Sequence, residues 1–369
     1  MIHRLYVHNF GCLANFDLEL GDQSSILLLG KNGSGKSTIR RAFAVLQAIA
    51  RGTNRVGSLV RPQDCFRGRT DEPVRIELDA RVHGLEFQYR LAFELPPGFK
   101  QMRVQREQLI VDGRSYYSRE GSVVTMAKER DGAGFVMDWH MVALPIIQEA
   151  SDTDPLFLFK SWLARSVILA PIPALISGES SDESLQPEHD GSNLAAWFAG
   201  LIAYSPAAYA TMDTFLKRVM HDLWDIKNPL LGKETRSLTV QFRHQSEAPL
   251  QVPLAALSDG EKCFFLCALL LAANEAYGPL FCFWDEPDSH LSLDEVSHFV
   301  VALRRAFGSS GGQLLMASHN AETIRRFSDE NTLILYRRSH LEPTRFKPLE
   351  DCEIHGDLIN ALIAGDIDP

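Results

Sequence analysis

Ser25-Ile26-Leu27-Leu28-Leu29-Gly30-Lys31-Asn32-Gly33-Ser34-Gly35-Lys36-Ser37-Thr38 decides how this chain is read. A short apolar run enters a glycine-rich loop, and residues 39–50 carry apolar side chains at helical spacing directly after it. The pattern is G-x-x-x-x-G-K-[ST], with Gly30, Gly35, Lys36 and Ser37 in the fixed positions. Each residue type has a physical reason to be there. Glycines let backbone N–H groups curl around phosphate oxygens with no Cβ in the way, and the helix start adds a favourable dipole. Asn32, Gly33, Ser34 and Thr38 complete the cradle. Lys36 is placed to set its ammonium between terminal phosphates, and the Ser37 hydroxyl to ligate Mg²⁺. A chance glycine-rich turn would lack the strand before it and the helix after it.

Farther along, Leu280-Phe281-Cys282-Phe283-Trp284 is a continuous apolar run of the kind a buried parallel strand needs, and it ends in Asp285-Glu286-Pro287. A second run, 313–317, ends in Ser318-His319-Asn320. Ligands of an open parallel sheet bind at the carboxyl ends of its strands, which brings both polar ends to the phosphate loop. Asp285 is thus placed to hold Mg²⁺ beside Ser37, and Glu286 to orient or deprotonate an attacking water. An acidic pair alone usually marks a solvated surface; five apolar residues before it make the difference. His319 is placed to donate to the γ-phosphate, with a helix-cap role as its alternative.

At 369 residues the chain is long enough for a large core, and 45% apolar with 23% charged residues is ordinary for a globular protein. The longest apolar run, 263–273, is too short to span a bilayer, and the first residues lack a signal-peptide pattern, so a cytoplasmic protein without membrane contact is expected. Cys263 and Cys267 lie one helical turn apart inside that run and read as buried thiols, not as a metal pair. A net charge of −10 argues against a protein that coats nucleic acid over its whole surface. The charge is uneven, however. Residues 1–70 hold ten basic against four acidic side chains, whereas 145–194 hold two against eight. Arg51, Arg55, Arg61, Arg67 and Arg69 therefore define either a local polyanion-binding surface or a solvated face.

The pattern predicts an α/β protein with three parts. Residues 1–136 form an N-terminal lobe with the phosphate loop and an antiparallel β subdomain, whose strands are expected at 5–10, 16–20, 26–29, 74–82, 85–95 and 104–111. Residues 137–230 read as a helical insert around a loop at 171–184, and its aromatic residues, Trp197, Phe198, Tyr209, Phe215 and Trp224, read as core. Residues 231–369 form a C-terminal lobe. It carries Leu257-Ser258-Asp259-Gly260-Glu261-Lys262 before an apolar helix, then the two buried strands with their polar ends.

Phosphate loop, Leu257-to-Lys262 segment, apolar strand with Asp285-Glu286, and Ser318-His319 follow the order seen in ABC-type ATPase heads. Leu5-Tyr6-Val7-His8-Asn9-Phe10 and the loop's own spelling resemble the RecF/SMC branch, and Asp285-Glu286-Pro287-Asp288-Ser289-His290-Leu291 resembles the stand-alone, OLD-like ATPases of phage-defence and DNA-repair systems. The resemblance is specific over 1–50 and 255–337. It implies a RecA-like P-loop core, ATP with Mg²⁺ as ligands, and an ATP-dependent homodimer that sandwiches two nucleotides. Ser258 and Gly260 would then act in trans as the signature segment, and Asp294 would belong to the loop coupling the two sites. Asp259 departs from the glycine common in that signature, and the family's water-sensing glutamine is not located; Gln63 and Gln148 both remain open. The expected function is an ATP-hydrolysing dimeric switch controlling a separate effector protein, such as a nuclease. The alternative is a repair ATPase acting directly on DNA, and a transporter subunit is disfavoured. An intrinsic nuclease would need an acidic cluster, and Glu342, Glu350, Asp351, Glu353, Asp357, Asp366 and Asp368 are scattered.

Overall fold

The computed structural model describes residues 1–352 apart from 128–131, 133, 244–247 and 328, so Glu353, Asp357, Asp366 and Asp368 lie outside the described residues. The chain opens on a hairpin, β1 (Ile2–His8) and β2 (Phe16–Glu19), whose alternation sends Leu5, Val7, Phe16 and Leu18 inward. Next come β3 (Ser25–Leu29), buried at every residue, and α1 (Lys36–Ala50); a single helical turn, α2 (Val56–Leu59), sits in the arginine-rich connection. Six more antiparallel strands extend the chain: β4 (Val74–Val82), β5 (Leu85–Glu94), β6 (Arg103–Val111), β7 (Arg114–Glu120), β8 (Val123–Met126) and β9 (Gly134–Val136). With the hairpin they make one eight-stranded sheet, β2-β1-β4-β5-β6-β7-β8-β9. The sequence pattern predicts its first five strands. Of the last three, β7 is largely polar and β8 and β9 are only four and three residues long, so alternation carries little signal.

A buried polar cluster fastens this sheet to the 138–144 segment. The Glu107 carboxylate accepts from the hydroxyls of Tyr89 and Tyr117 and from the backbone N–H groups of Ala143 and Leu144. The Arg119 guanidinium, equally buried, donates to the carbonyls of Asp138 and Met141. Burial first, then the Glu107 charge, pushes both tyrosines well above the ordinary phenol range, so they stay protonated donors.

Next come α3 (Pro155–Arg165), capped by the Asp154 carboxylate on Leu156 N–H, and β10 (Val167–Leu169). β11 (Glu179–Ser180), α4 (Leu194–Tyr204), α5 (Ala208–Val219), β12 (Leu223–Lys227), β13 (Leu230–Leu231), β14 (Thr235–Ser237), β15 (Thr239–Phe242) and β16 (Leu250–Pro253) lead on to α6 (Asp259–Tyr277). Two small sheets, β11-β14-β13 and β12-β15-β16, lie beside the helices. The remaining elements are β17 (Phe281–Asp285), α7 (Leu293–Ser310), β18 (Gln313–Ala317), α8 (Ala321–Arg325), β19 (Thr332–Tyr336) and β20 (Arg345–Pro348).

The core is a six-stranded sheet, β10-β17-β18-β3-β19-β20, parallel except for β20. Alternation splits each strand between two cores. Ile26, Leu28, Phe281, Phe283 and Leu315 pack with α1 and the antiparallel sheet, while Leu27, Leu29, Cys282, Trp284 and Met316 pack with α4 to α7. Residues 137–230, read as a helical insert, hold three helices, and Trp197, Phe198 and Phe215 are core as expected. They also hold an edge strand of the main sheet, β10, which pairs in parallel with β17. Four apolar residues between Ser166 and Pro171 are too few for periodicity to reveal. Trp224 departs from the core reading: it is exposed, with the Arg243 guanidinium 4.6 Å from its ring centre.

Among the described residues no helix is long and apolar enough to cross a membrane. Every described cysteine is a free thiol; Cys263 and Cys267 are buried on α6, and burial pushes the Cys263 thiol up to about 12.

Candidate nucleotide site

The topology gathers the carboxyl ends of β3, β17 and β18 at one edge of the sheet, where the phosphate loop, the Asp285-Glu286 pair and Ser318-His319 meet. The loop takes backbone angles that glycine alone adopts without strain: φ is 81° at Gly33 and 113° at Gly35. Gly35 is required twice over, because a Cβ there would sit 2.6 Å from Thr344 Oγ1. Lys36 starts α1 and donates from Nζ to the Gly30 carbonyl at 2.7 Å. Burial lowers its pKa, against the opposing pull of Glu286 and Asp285. Asn32 is exposed at the loop crest, whereas Ser34 is buried with its Oγ unpartnered; Thr38 packs beneath against Gly11 and Cys12.

Ser37 Oγ donates to Asp285 Oδ2 at 2.9 Å, a contact across 248 positions of sequence. Arg40 Nε, one helical turn after Ser37, lies 3.2 Å from the same oxygen. The other carboxylate oxygen, Oδ1, is buried and has no hydrogen-bond partner. A hydroxyl and a carboxylate with a spare oxygen fit a Mg²⁺ ion, which takes few protein ligands and completes its shell with phosphate and water. Consistent with that, no group of three or more His, Cys, Asp or Glu that could hold a metal alone occurs among the described residues. Glu342, Glu350 and Asp351 thus form no nuclease-type cluster with other described acids.

Glu286 occupies the left-handed region, with φ at 50°, where a residue with a Cβ costs about 1 kcal/mol. Its N–H donates to the Ala317 carbonyl at 2.7 Å, which fixes the turn off the strand. Its carboxylate lies 3.4 Å from His319 Nδ1 and accepts from Ser289 Oγ at 3.3 Å. Strain of this kind persists where the surroundings over-determine it, and here the result is a half-exposed carboxylate beside the phosphate loop. His319 does not cap α8; Asn320 does, through its side-chain oxygen on Glu322 N–H. Behind them Asp288 is buried and accepts from the hydroxyls of Ser318 and Thr323, fastening the turn after β17 to α8.

Ser258 caps α6: its Oγ accepts from Glu261 N–H, while the Glu261 carboxylate accepts from the Ser258 N–H and hydroxyl. Gly260 is needed for space, because a Cβ would meet the His290 carbonyl at 2.8 Å. This helix start is solvent-facing, with Asp259 Oδ2 3.7 Å from His290 Nδ1. Asp294 is exposed in the first turn of α7, and Gln63 and Gln148 are both outside the core.

The arginine group divides. Arg51 is half-buried and turned inward: its guanidinium donates to the carbonyls of Ala164 and Pro187, and burial lowers its pKa. Arg69 is paired with Glu72. Arg55, Arg61 and Arg67 stay exposed, and Asp64, the acid among them, is held by Arg41. Sequence reasoning also missed Arg40, Arg337 and Thr344, and quoted Asp288 without giving it a role. Arg40 alone left a signal, since its spacing puts it on the Ser37 face of α1.

Fold and site together have the form of an SMC/ABC-type head with a phosphate loop at the carboxyl end of β3. Residues 152–325 match a family described as "AAA domain, putative AbiEii toxin, Type IV TA system", and residues 4–132 match one described as "AAA domain". A curated relative, "Putative ATP-binding protein YdiF" of Bacillus subtilis (strain 168), is 32% identical over 129 residues, which take in 35% of this chain and 18% of that protein. Among solved structures, an SMC head bound to the C-terminal winged-helix domain of ScpA has a TM-score of 0.56 at 14% identity, covering 95% of this chain and 98% of that one. An SMC head with an extended coiled coil, bound to the C-terminal domain of ScpA derived from Pyrococcus furiosus, has a TM-score of 0.53 at 13% identity, covering 95% and 96%. At such identities the likeness is one of fold.

Proposed function

We propose that this chain is an ATP-hydrolysing switch that works as a homodimer and controls a separate effector protein in phage defence or DNA repair. The observation that carries the hydrolytic part is the Ser37–Asp285 contact at the mouth of the phosphate loop, with Glu286 and His319 paired beside it. In this reading Gly30 to Thr38 hold the phosphates, and Lys36 exchanges its contact with the Gly30 carbonyl for one with phosphate. Ser37 and Asp285 would hold Mg²⁺, which when bound neutralises phosphate charge. Glu286 accepts the proton of the attacking water, and His319 holds that carboxylate and donates toward the departing phosphate. The toxin–antitoxin wording of the matched family supports a role in defence.

Lys36→Ala tests the phosphate loop. It removes a charge-assisted contact, so affinity for a fluorescent ATP analogue is expected to fall by about tenfold or more. Equal affinity in the two proteins would refute the assignment.

A second reading, direct action on DNA, is favoured by the three exposed arginines, Arg55, Arg61 and Arg67. Binding of a short duplex should weaken steeply with salt and be lost when all three are replaced. Fluorescence anisotropy decides: no binding at low salt, or binding untouched by the replacements, leaves the three arginines as a solvated face.

A further inference from the structure

The connection between β19 and β20 runs along the back of the phosphate loop. Arg337 Nη1 donates to the Gly33 carbonyl at 3.2 Å, and Thr344 Oγ1 to the Ser34 carbonyl at 2.8 Å. Both donors are themselves fixed. Arg337 also donates from Nε to the Glu342 carbonyl at 3.0 Å and from Nη2 to the His340 carbonyl at 2.6 Å, which closes the connection into a compact strap. Thr344 is buried, its N–H donates to the Cys12 carbonyl at 2.9 Å, and its Oγ1 lies 3.2 Å from Cys12 Sγ. The threonine has one hydroxyl proton, and the shorter contact sends it to Ser34.

A trans peptide is planar, with its C=O and N–H pointing in opposite directions. The Gly33 carbonyl shares a peptide with the Ser34 N–H, and the Ser34 carbonyl with the Gly35 N–H. The Ser34 N–H donates to the Lys31 carbonyl at 3.0 Å, so the donor behind the Gly33 carbonyl fixes that turn, whereas the donor behind the Ser34 carbonyl fixes and polarises the Gly35 N–H, which is directed away from the strap. We propose that Thr344 and Arg337 are positioning residues of the phosphate loop: Thr344 aims the Gly35 N–H at phosphate, and Arg337 holds the Lys31–Ser34 turn that presents it. The inference rests on the nucleotide reading of this loop, and it adds a dependence that runs both ways. If an ordered strap raises nucleotide affinity, bound nucleotide must stabilise the strap by the same factor.

The test uses the full chain, a fluorescent ATP analogue and hydrogen exchange. Thr344→Val keeps the shape and removes the donor, and should weaken the analogue by about tenfold. Thr344→Ser restores the hydroxyl and should bind within about twofold of wild type, which separates hydrogen bonding from packing. Arg337→Ala should weaken binding in the same direction. Saturating ATP should slow amide exchange over 338–344 in wild type, and this protection should shrink in Thr344→Val even where the phosphate loop itself is protected. Wild-type affinity in Thr344→Val, or unchanged exchange over 338–344 while the loop is protected, overturns the proposal alone. A wild type that binds no analogue overturns the nucleotide reading and the proposal with it.

Discussion

Glu286→Gln is expected to bind ATP as wild type does and to lose about a hundredfold or more of turnover. The substitution keeps the side-chain length and leaves an oxygen to accept from Ser289 Oγ, so the turn after β17 has no reason to move. The strained backbone at this position is held by the N–H contact with the Ala317 carbonyl, which is independent of the side chain. The charge and the proton-accepting oxygen pair disappear, together with the attraction to His319 at 3.4 Å. In the proposed reading binding depends on other groups: the loop N–H groups, Lys36, Ser37 and Asp285. The measurement is phosphate release at saturating ATP beside analogue affinity. A fall in affinity matching the fall in turnover would reassign Glu286 to binding, and undiminished turnover would remove it from the mechanism.

Much of this site is legible in the sequence because buried parallel strands leave a strong trace. β3, β17 and β18 are apolar on both faces, so they read as continuous runs, and the polar residues that end them stand out. The Ser37–Asp285 contact follows from strand order together with the parallel register that sets Asp285, Ala317 and Leu28 level. Other parts leave no such trace. β10 is three residues long and takes its place only by pairing with β17. β7 is fixed by Tyr117 and Arg119 in the buried polar cluster, and β8 and β9 by short ladders, none of which shows as an apolar run of any length. Thr344 and Arg337 reach the phosphate loop across more than 300 positions, from a connection whose composition is that of an ordinary turn. Arg51 misled for the opposite reason: its charge suggested solvent, yet two backbone carbonyls accept from it at the junction of α1 and α3. A charge count sees the side chain and not its acceptors.

Two inactive chains, Lys36→Ala and Ser258→Arg, are expected to recover ATPase activity when mixed. The reason lies in two helix starts. One, at Gly35-Lys36-Ser37, belongs to the phosphate loop; the other, at Ser258 on α6, is solvent-facing, with its own cap satisfied by Glu261. A helix start offers N–H groups and a positive dipole end to anions. In the proposed homodimer the second start meets the nucleotide held by the partner's phosphate loop. Nucleotide touching both chains then favours the closed pair, and its hydrolysis releases it. Lys36→Ala spoils a chain's own loop and leaves its α6 start intact; Ser258→Arg does the reverse. A mixed pair therefore contains one composite site with both parts whole. Removing the cap at Ser258 also costs about 1 kcal/mol of helix stability, so melting curves and a Ser258→Ala chain, which loses the cap without adding bulk or charge, accompany the measurement. Light scattering with Glu286→Gln and ATP should show a mass increase that Glu286→Gln carrying Ser258→Arg lacks. If the mixture stays as inactive as either parent while both chains remain folded, Ser258 does not act on a partner's nucleotide, and the switch must work within one chain.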